Sequence, residues 1–233
     1  MTKNQISKRE LITLLADLYG ILSEEDQNLM TEQVHVKMYK KNQAIYNEGD
    51  RPDQLLCLLS GKAKICKQGV GGKNLLLRAV KPVDYFGYRA YISGTPYITS
   101  AIALEHCVIA HFPLKTVLSI MDHNAQLGLF FIRRLGLALG NADMRTVNLT
   151  QKHIRARLAE GILLLKDTYG MDEEGCELNI YLSREDMANL CNMTTANAIR
   201  TLSQFASENL VAVDGRKIKI LNENELMHIS EMG

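Results

Sequence analysis

The sequence predicts an α+β chain: an N-terminal antiparallel β-barrel, a long amphipathic helix and a C-terminal winged helix-turn-helix. Three observations carry this. Residues 36–112 break into short β-rich runs separated by glycine-bearing turns, 125–149 keep apolar residues at three-four spacing, and 182–220 read as two short helices followed by a hairpin.

A length of 233 residues accommodates two ordinary domains, and 46% hydrophobic with 23% charged residues is the composition of a globular protein. The net charge of +1 means that any surface for nucleic acid must be a local one. No apolar run approaches a membrane span, and no apolar block comes after the N-terminal lysines, so a cytoplasmic protein with no membrane partner is expected. Cys57, Cys66, Cys107, Cys176 and Cys191 include no Cys-x-x-Cys pair, which fits reduced thiols rather than a disulfide frame or a zinc site.

From Lys8 to Val34 the pattern is helical, through Leu11, Leu14, Leu15 and Leu18, with Ser23-Glu24-Glu25-Asp26 as an N-cap and acidic first turn. The β-rich runs come next, at Ala44–Tyr46, Leu55–Leu59, Ala63–Cys66, Asn74–Val80, Tyr97–Leu104 and Cys107–Phe112. Turns so regularly spaced indicate an antiparallel barrel or sandwich. Gly69-Val70-Gly71-Gly72 falls inside a hairpin, where flexibility explains it.

Helical spacing returns at Lys115–Met121, and Asp122-His123-Asn124 can cap a long helix beginning at Ala125. That helix, of roughly 35 Å at about 1.5 Å per residue, carries Ala125, Gly128, Ile132, Leu135, Leu139 and Ala142 as a seam, with Arg133 and Arg134 beside it. Its small residues would let two backbones approach, which makes it a dimer axis. The competing reading lays this helix on its own barrel, and both faces can serve at once. A further helix runs from Gln151 to Thr168, through Ile154, Leu158, Ile162 and Leu165, and a strand is expected at Glu177–Tyr181.

Ser183 is a good N-cap, with Glu185 and Asp186 in the first turn and Met187 and Leu190 on one face. Asn192 stands where the chain must turn sharply, and asparagine tolerates the left-handed conformation such a corner needs. Thr194 caps a second helix whose Ala198, Leu202 and Phe205 face inward, leaving Thr195, Ala196, Ile199, Arg200 and Ser203 outside. The second helix of such a pair fits the major groove of DNA. Leu210–Val213, Asp214-Gly215 and Lys217–Ile220 then form the wing.

In order and spacing the whole chain resembles the cyclic-AMP receptor protein and FNR (CRP/FNR) family of bacterial transcription regulators. The resemblance rests on Ile45–Asp50 succeeded by Leu55–Ala63, on Phe86-Gly87 and Ala101–Cys107 as the start of a phosphate loop and its next strand, and on Arg155–Ala159 ahead of the helix pair. It implies a cyclic-nucleotide-binding-like, jelly-roll-type sensing barrel over 1–124, a dimerisation helix over 125–149 and a DNA-binding domain over 150–233. It also implies a homodimer on a palindromic operator, with RNA polymerase as a partner.

The family's cyclic-nucleotide site would fall on Phe86, Gly87, Tyr88, Arg89, Tyr97 and Ile98, with Ala142 and Asp143 near the base. Where that site has a glutamate for the ribose and an arginine for the phosphate, this chain has Tyr88 and Tyr97. Losing a charge-assisted pair costs about 2–5 kcal/mol, which argues against cyclic AMP and leaves an unidentified small-molecule effector. Tyr88, Tyr91 and Tyr97 either line a pocket between barrel and long helix for it or fill that pocket, giving a ligand-free, constitutive protein. An iron-sulfur cluster is a poor reading, because no cysteine comes before Cys57. Haem is a minority alternative, with His106, Cys107, His111 and His123 as candidate ligands.

For DNA reading, the family pattern of Arg-Glu and a later Arg falls on Thr195, Ala196 and Arg200. Arginine bidentate to guanine is the commonest base-specific contact, whereas Ala196 could touch only a thymine methyl, so a different half-site is expected. Ile199 completes the base-reading set. Ser183, Arg184, Thr194, Asn197, Ser203, Arg216 and Lys217 are the expected backbone contacts. The competing class is a barrel module acting through protein contacts alone. With no nucleophile-base pair or metal-spacing motif, an enzyme is not expected.

Overall fold

The computed structural model describes residues 7–232. The first lysine of the N-terminal segment considered for a signal peptide lies outside them.

Three helices open the chain. α1 (Lys8–Leu14) starts from a capping box in which Ser7 and Glu10 satisfy each other's backbone N–H, α2 (Ala16–Tyr19) adds one turn, and α3 (Glu24–Gln33) is capped by Ser23 accepting from the Asp26 N–H. The β region contains β1 (His35–Tyr39), β2 (Ala44–Tyr46), β3 (Gln54–Ser60), β4 (Ala63–Gln68), β5 (Asn74–Val80) and β6 (Tyr85–Phe86). A short helix α4 (Tyr88–Ile92), β7 (Ser100–Ala103) and β8 (Cys107–Pro113) complete it. The strands form two four-stranded sheets, ordered β1-β8-β3-β6 and β2-β7-β4-β5. The expected barrel is therefore corrected to a sandwich of two open sheets; β1 and β6 end one sheet, β2 and β5 the other.

Strand β3 shows why the core is double. Successive side chains of a strand point to opposite faces, and here both faces are covered. Leu56 and Leu58 join Tyr46, Ala63, Phe86, Tyr97, Ala101 and Ile109 in the interior of the sandwich. Leu55, Cys57 and Leu59 face the opposite way, into a core closed by Leu11, Leu15, Leu18, Met30, Leu127 and Phe131 from the helices. The unbroken apolar run Leu55–Leu59 is the sequence signature of a strand buried on both sides.

The turn Lys81–Asp84 places Val83 at φ 70, an uncommon conformation for a β-branched residue. It is held because the Val83 N–H donates to Leu58 O at 2.7 Å and the Leu58 N–H donates to Asp84 O at 3.1 Å.

After the sandwich come α5 (Leu114–Met121), α6 (Ala125–Gln151) and α7 (Ile154–Tyr169). The chain continues through α8 (Arg184–Leu190), α9 (Thr195–Ser207), the hairpin β9 (Val211–Asp214) and β10 (Lys217–Ile220), and α10 (Glu223–Glu231). By packing, one compact unit comprises the chain up to Ile65 with Val80–Gly140, and the other Cys66–Ala79 with Asn141 onward. Among the described residues no helix is long and apolar enough to cross a membrane.

Of two further expected strands, one is absent and the other is shorter than read. Glu177–Tyr181 is no strand but carries single bridges, Met171 to Leu178 and Glu177 to Lys219. Burial alternates from Leu178 to Tyr181, but the Asp172 carboxylate accepts from the Cys176 and Glu177 N–H groups at 3.0 Å and curls the chain into a turn. The segment at Tyr97 joins its sheet only from Ser100, because Tyr97 is committed to the turn at Gly49 and Asp50, with Gly49 N–H to Tyr97 O at 2.7 Å.

Gly161 sits in the middle of α7 with Cys191 Sγ 2.5 Å from where a Cβ would be. Alanine there should raise helix propensity by up to ~1 kcal/mol but overpack a buried contact at about 1–3 kcal/mol. Gly161→Ala is therefore expected to lower stability in denaturant titrations, and adding Cys191→Ala, which removes the sulfur, should recover it.

Candidate DNA-reading and effector sites

The helix pair is built by local chemistry. Ser183 Oγ accepts from the Asp186 N–H at 3.0 Å and starts α8. The helix ends at Cys191, and Asn192 turns the chain with φ 48. Thr194 Oγ1 accepts from the Asn197 N–H at 3.2 Å and starts α9. Ala198, Thr201, Leu202 and Phe205 are buried, so Thr195, Ala196, Ile199, Arg200 and Ser203 form the opposite, exposed face. The Arg200 guanidinium has no hydrogen bond or ion pair among the described residues, so the central cation of this face stands available to an external acceptor.

The expected backbone contacts are divided in their commitments. The hydroxyls of Ser183 and Thr194 are engaged as caps, and Ser203 Oγ donates to Ile199 O at 3.0 Å. Arg184 donates to Gly215 O and so fastens α8 to the tip of the wing, where Gly215 has φ 55. Lys217 pairs with Glu177 at 3.2 Å, which raises its pKa and partly neutralises it as a phosphate contact. Asn197 is half-buried and Arg216 is exposed.

On α6 the inward face is taken by Leu127 and Phe131, with Phe130 and Leu135 packed against the same core. Arg134 pairs with Asp17 at 2.5 Å and lies over the rings of Tyr85 and Phe130. The exposed apolar face is Leu129, Ile132, Leu139 and Val147, with Leu137 and Met144 at its margin. Of the expected seam, Ala125, Ile132, Leu139 and Ala142 are exposed, Gly128 is half-buried, and Leu135 turns toward the core.

The tyrosines at the expected effector positions are packed into separate cores, which corrects the reading of one shared pocket. Gly87 takes φ 85, and α4 begins immediately after it. Tyr88 lies against Phe131, ring centroids 4.9 Å apart, and Tyr91 packs in that same helical core. Tyr97 stacks on Tyr46 at 3.9 Å beside Phe86 inside the sandwich. Its hydroxyl stands 3.1 Å from where a Cβ on Gly87 would be, and burial pushes its pKa up. Arg89 and Ile98 are exposed, as are Ala142 and Asp143 on α6.

Three of the four residues considered for haem are already engaged by other partners. His111 Nε2 is bonded to the Tyr39 hydroxyl at 3.1 Å, and His123 Nε2 to Asp26 at 3.1 Å. Cys107 Sγ donates to Lys62 O at 3.1 Å, and His106 is exposed. Burial, then the nearby Lys37 charge, lowers the His111 pKa to about 4, with Asp53 opposing and His35 adding to the shift. The unfolded chain therefore binds this proton from about pH 6.5 downward, whereas the folded chain binds it only near 4. Stability present above pH 6.5 should be lost as pH falls toward 4, by on the order of 3 kcal/mol. Denaturant midpoints across this range should flatten in His111→Gln.

Two family matches are decisive. A cyclic nucleotide-binding domain matches residues 36–124, and a Crp-like helix-turn-helix domain matches residues 156–229. The chain belongs to the CRP/FNR family of transcription regulators. Among its CRP/FNR relatives, a CRP-like cAMP-activated global transcriptional regulator of Mycobacterium tuberculosis is 22% identical over 198 residues, covering 84% of this chain and 88% of the relative. A global nitrogen regulator of Nostoc is 20% identical over 188 residues, covering 79% and 84%. The structure of FixK2 from Bradyrhizobium japonicum superposes with a TM-score of 0.77 at 19% identity, covering 84% of this chain and 96% of that one. The Mycobacterium tuberculosis and Nostoc relatives are both named as regulators.

Within the CRP/FNR scaffold, sequence reasoning missed three residues around the helix-turn-helix corner: Arg145, Arg157 and Gly161. The Arg157 side chain was visible only as part of a family pattern, and Arg145 gave no signal, because both bond distant backbone carbonyls. The short α4 and the C-terminal α10 were also missed; α10 has a readable cap in Asn222, which accepts from the Glu225 N–H at 3.1 Å.

Proposed function

We propose that the protein is a homodimeric, sequence-specific regulator that reads a palindromic operator in the cytoplasm through α9 of each protomer. The observation that carries this reading is the exposed face Thr195, Ala196, Ile199 and Arg200, with Arg200 unengaged, on a helix whose other face is buried. In this account residues 1–124 sense, 125–149 dimerise and 150–233 bind DNA. The apolar face of α6 supplies the two-fold contact, and half-sites fall about 34–36 Å apart. Arg216 and the caps Ser183 and Thr194 meet phosphates, and Arg200 reads guanine. RNA polymerase is the downstream partner.

The effector is a small molecule other than cyclic AMP. Tyr88 and Tyr97 support this, since neither offers a cation to a buried phosphate, and leaving that charge unpaired is costly. Packing of Tyr97 on Tyr46 also suits a ligand-free state in which the sandwich is filled by its own side chains.

Selection of duplexes from a random pool by the purified protein tests the reading. A recovered palindrome with half-sites one helical turn apart supports it. Failure to enrich any sequence, with and without cell extract as a source of effector, would place the protein instead among modules that act through protein contacts.

A further inference from the structure

The corner between α8 and α9 is held by two arginines from the preceding helices. Arg145, on α6, donates through Nη2 to Leu190 O at 2.7 Å and to Leu76 O of β5 at 2.6 Å. Arg157, on α7, donates through Nη1 to Asn192 O at 2.7 Å and more weakly to Leu149 O, near the end of α6, at 3.5 Å. The two main acceptors, Leu190 O and Asn192 O, flank Cys191, which is itself buried against Gly161. Carbonyls at a helix C-terminus lack intrahelical donors and favour a cation. A cavity of about 30 Å³ lined by Arg145, Arg157 and Glu160 lies between the two side chains.

Stability alone does not explain this choice of residues. The Nε atoms of both arginines are buried and have no acceptor among the described residues, and burial lowers the Arg145 pKa. A buried charge with an unmet donor is commonly no better than apolar packing of similar volume. What the guanidinium groups do provide is direction: each fixes a carbonyl on one side of the left-handed corner, relative to α6 and α7. The corner in turn sets where α9 begins.

We propose that Arg145 and Arg157 are positioning residues for DNA reading, a clamp that fixes the angle of the recognition helix against α6 and α7 without touching DNA. The inference rests on the DNA-reading function above. Orientation matters for sequence recognition and little for non-specific attraction to phosphates, which depends on charge. The two affinities should therefore separate.

The experiment measures affinity for the selected operator and for a random duplex of equal length, at several salt concentrations, in Arg145→Met, Arg157→Met, Arg145→Lys and Arg157→Lys. All are compared at a temperature where circular dichroism shows them folded. In the methionine variants the specific-to-nonspecific ratio should fall at least tenfold, with the salt slope unchanged. Lysine, which keeps a donor and the charge but not the reach, should retain more of the ratio, while still losing at least threefold. A ratio within twofold of the wild type in a folded methionine variant overturns the clamp; should those variants not fold, a lysine ratio within twofold does so. A salt slope lower by about two for the dimer would make the arginines phosphate contacts and also overturns it. If the wild type itself selects no operator, the DNA reading fails first, and the clamp with it.

Discussion

Arg200→Ala should weaken binding to the selected operator by about 2–6 kcal/mol, since each of two half-sites loses an arginine-guanine pair worth about 1–3 kcal/mol. The loss is expected to be specific. Arg200 stands on the exposed face of α9 while Ala198, Leu202 and Phe205 hold that helix to its unit, so truncating the side chain leaves the packing intact. The variant should keep its thermal midpoint and lose preference at one base pair in each half-site, as read by selection from a pool randomised at that position. Equal discrimination there by wild type and variant would remove Arg200 from the base-reading set.

The second large effect concerns α6. Ile132 is 62% exposed and Leu139 65% exposed, two apolar residues seven apart on one face. Large apolar side chains gathered along one helical stripe mark an interaction surface. Ile132→Glu with Leu139→Glu places like charges across a two-fold contact. The double variant should sediment as a monomer, fold as judged by circular dichroism, and bind the operator at least a hundredfold more weakly. Loss of the second half-site accounts for that magnitude, because a single reading helix approaches non-specific affinity, commonly 10³-fold or more below specific binding. A double variant that remains dimeric would move the dimer contact elsewhere.

The helix-turn-helix was legible because its determinants are local. Ser183, Asn192 and Thr194 each act within three residues of their own position, and the inward triad Ala198, Leu202 and Phe205 declares its face by spacing. The long helix was legible for the same reason, but its seam was not: Leu135 turns inward because Phe131 and Leu127 meet a core assembled from α1, α3 and β8, which no window along α6 reveals. Closure of the sheets was equally hidden. Glycine-bearing turns announce antiparallel strands but not whether the end strands meet.

The effector region shows a different limit. Family register located Tyr88 and Tyr97, yet only the fold tells that one ring packs against the long helix and the other inside the sandwich. The arginines of the helix-turn-helix corner are the extreme case: Arg145 bonds carbonyls 69 and 45 residues away, and Arg157 one 35 residues away. A backbone acceptor leaves no trace in residue identity.

In the proposed dimer, two copies of α9 should read successive major grooves on one face of the duplex. The most direct measurement compares the selected operator with the same half-sites moved apart by five base pairs. Half a helical turn puts the second half-site on the opposite face, so affinity should fall to that of a single half-site, at least a hundredfold. Unchanged affinity for the respaced operator would contradict a two-fold reading by a rigid dimer.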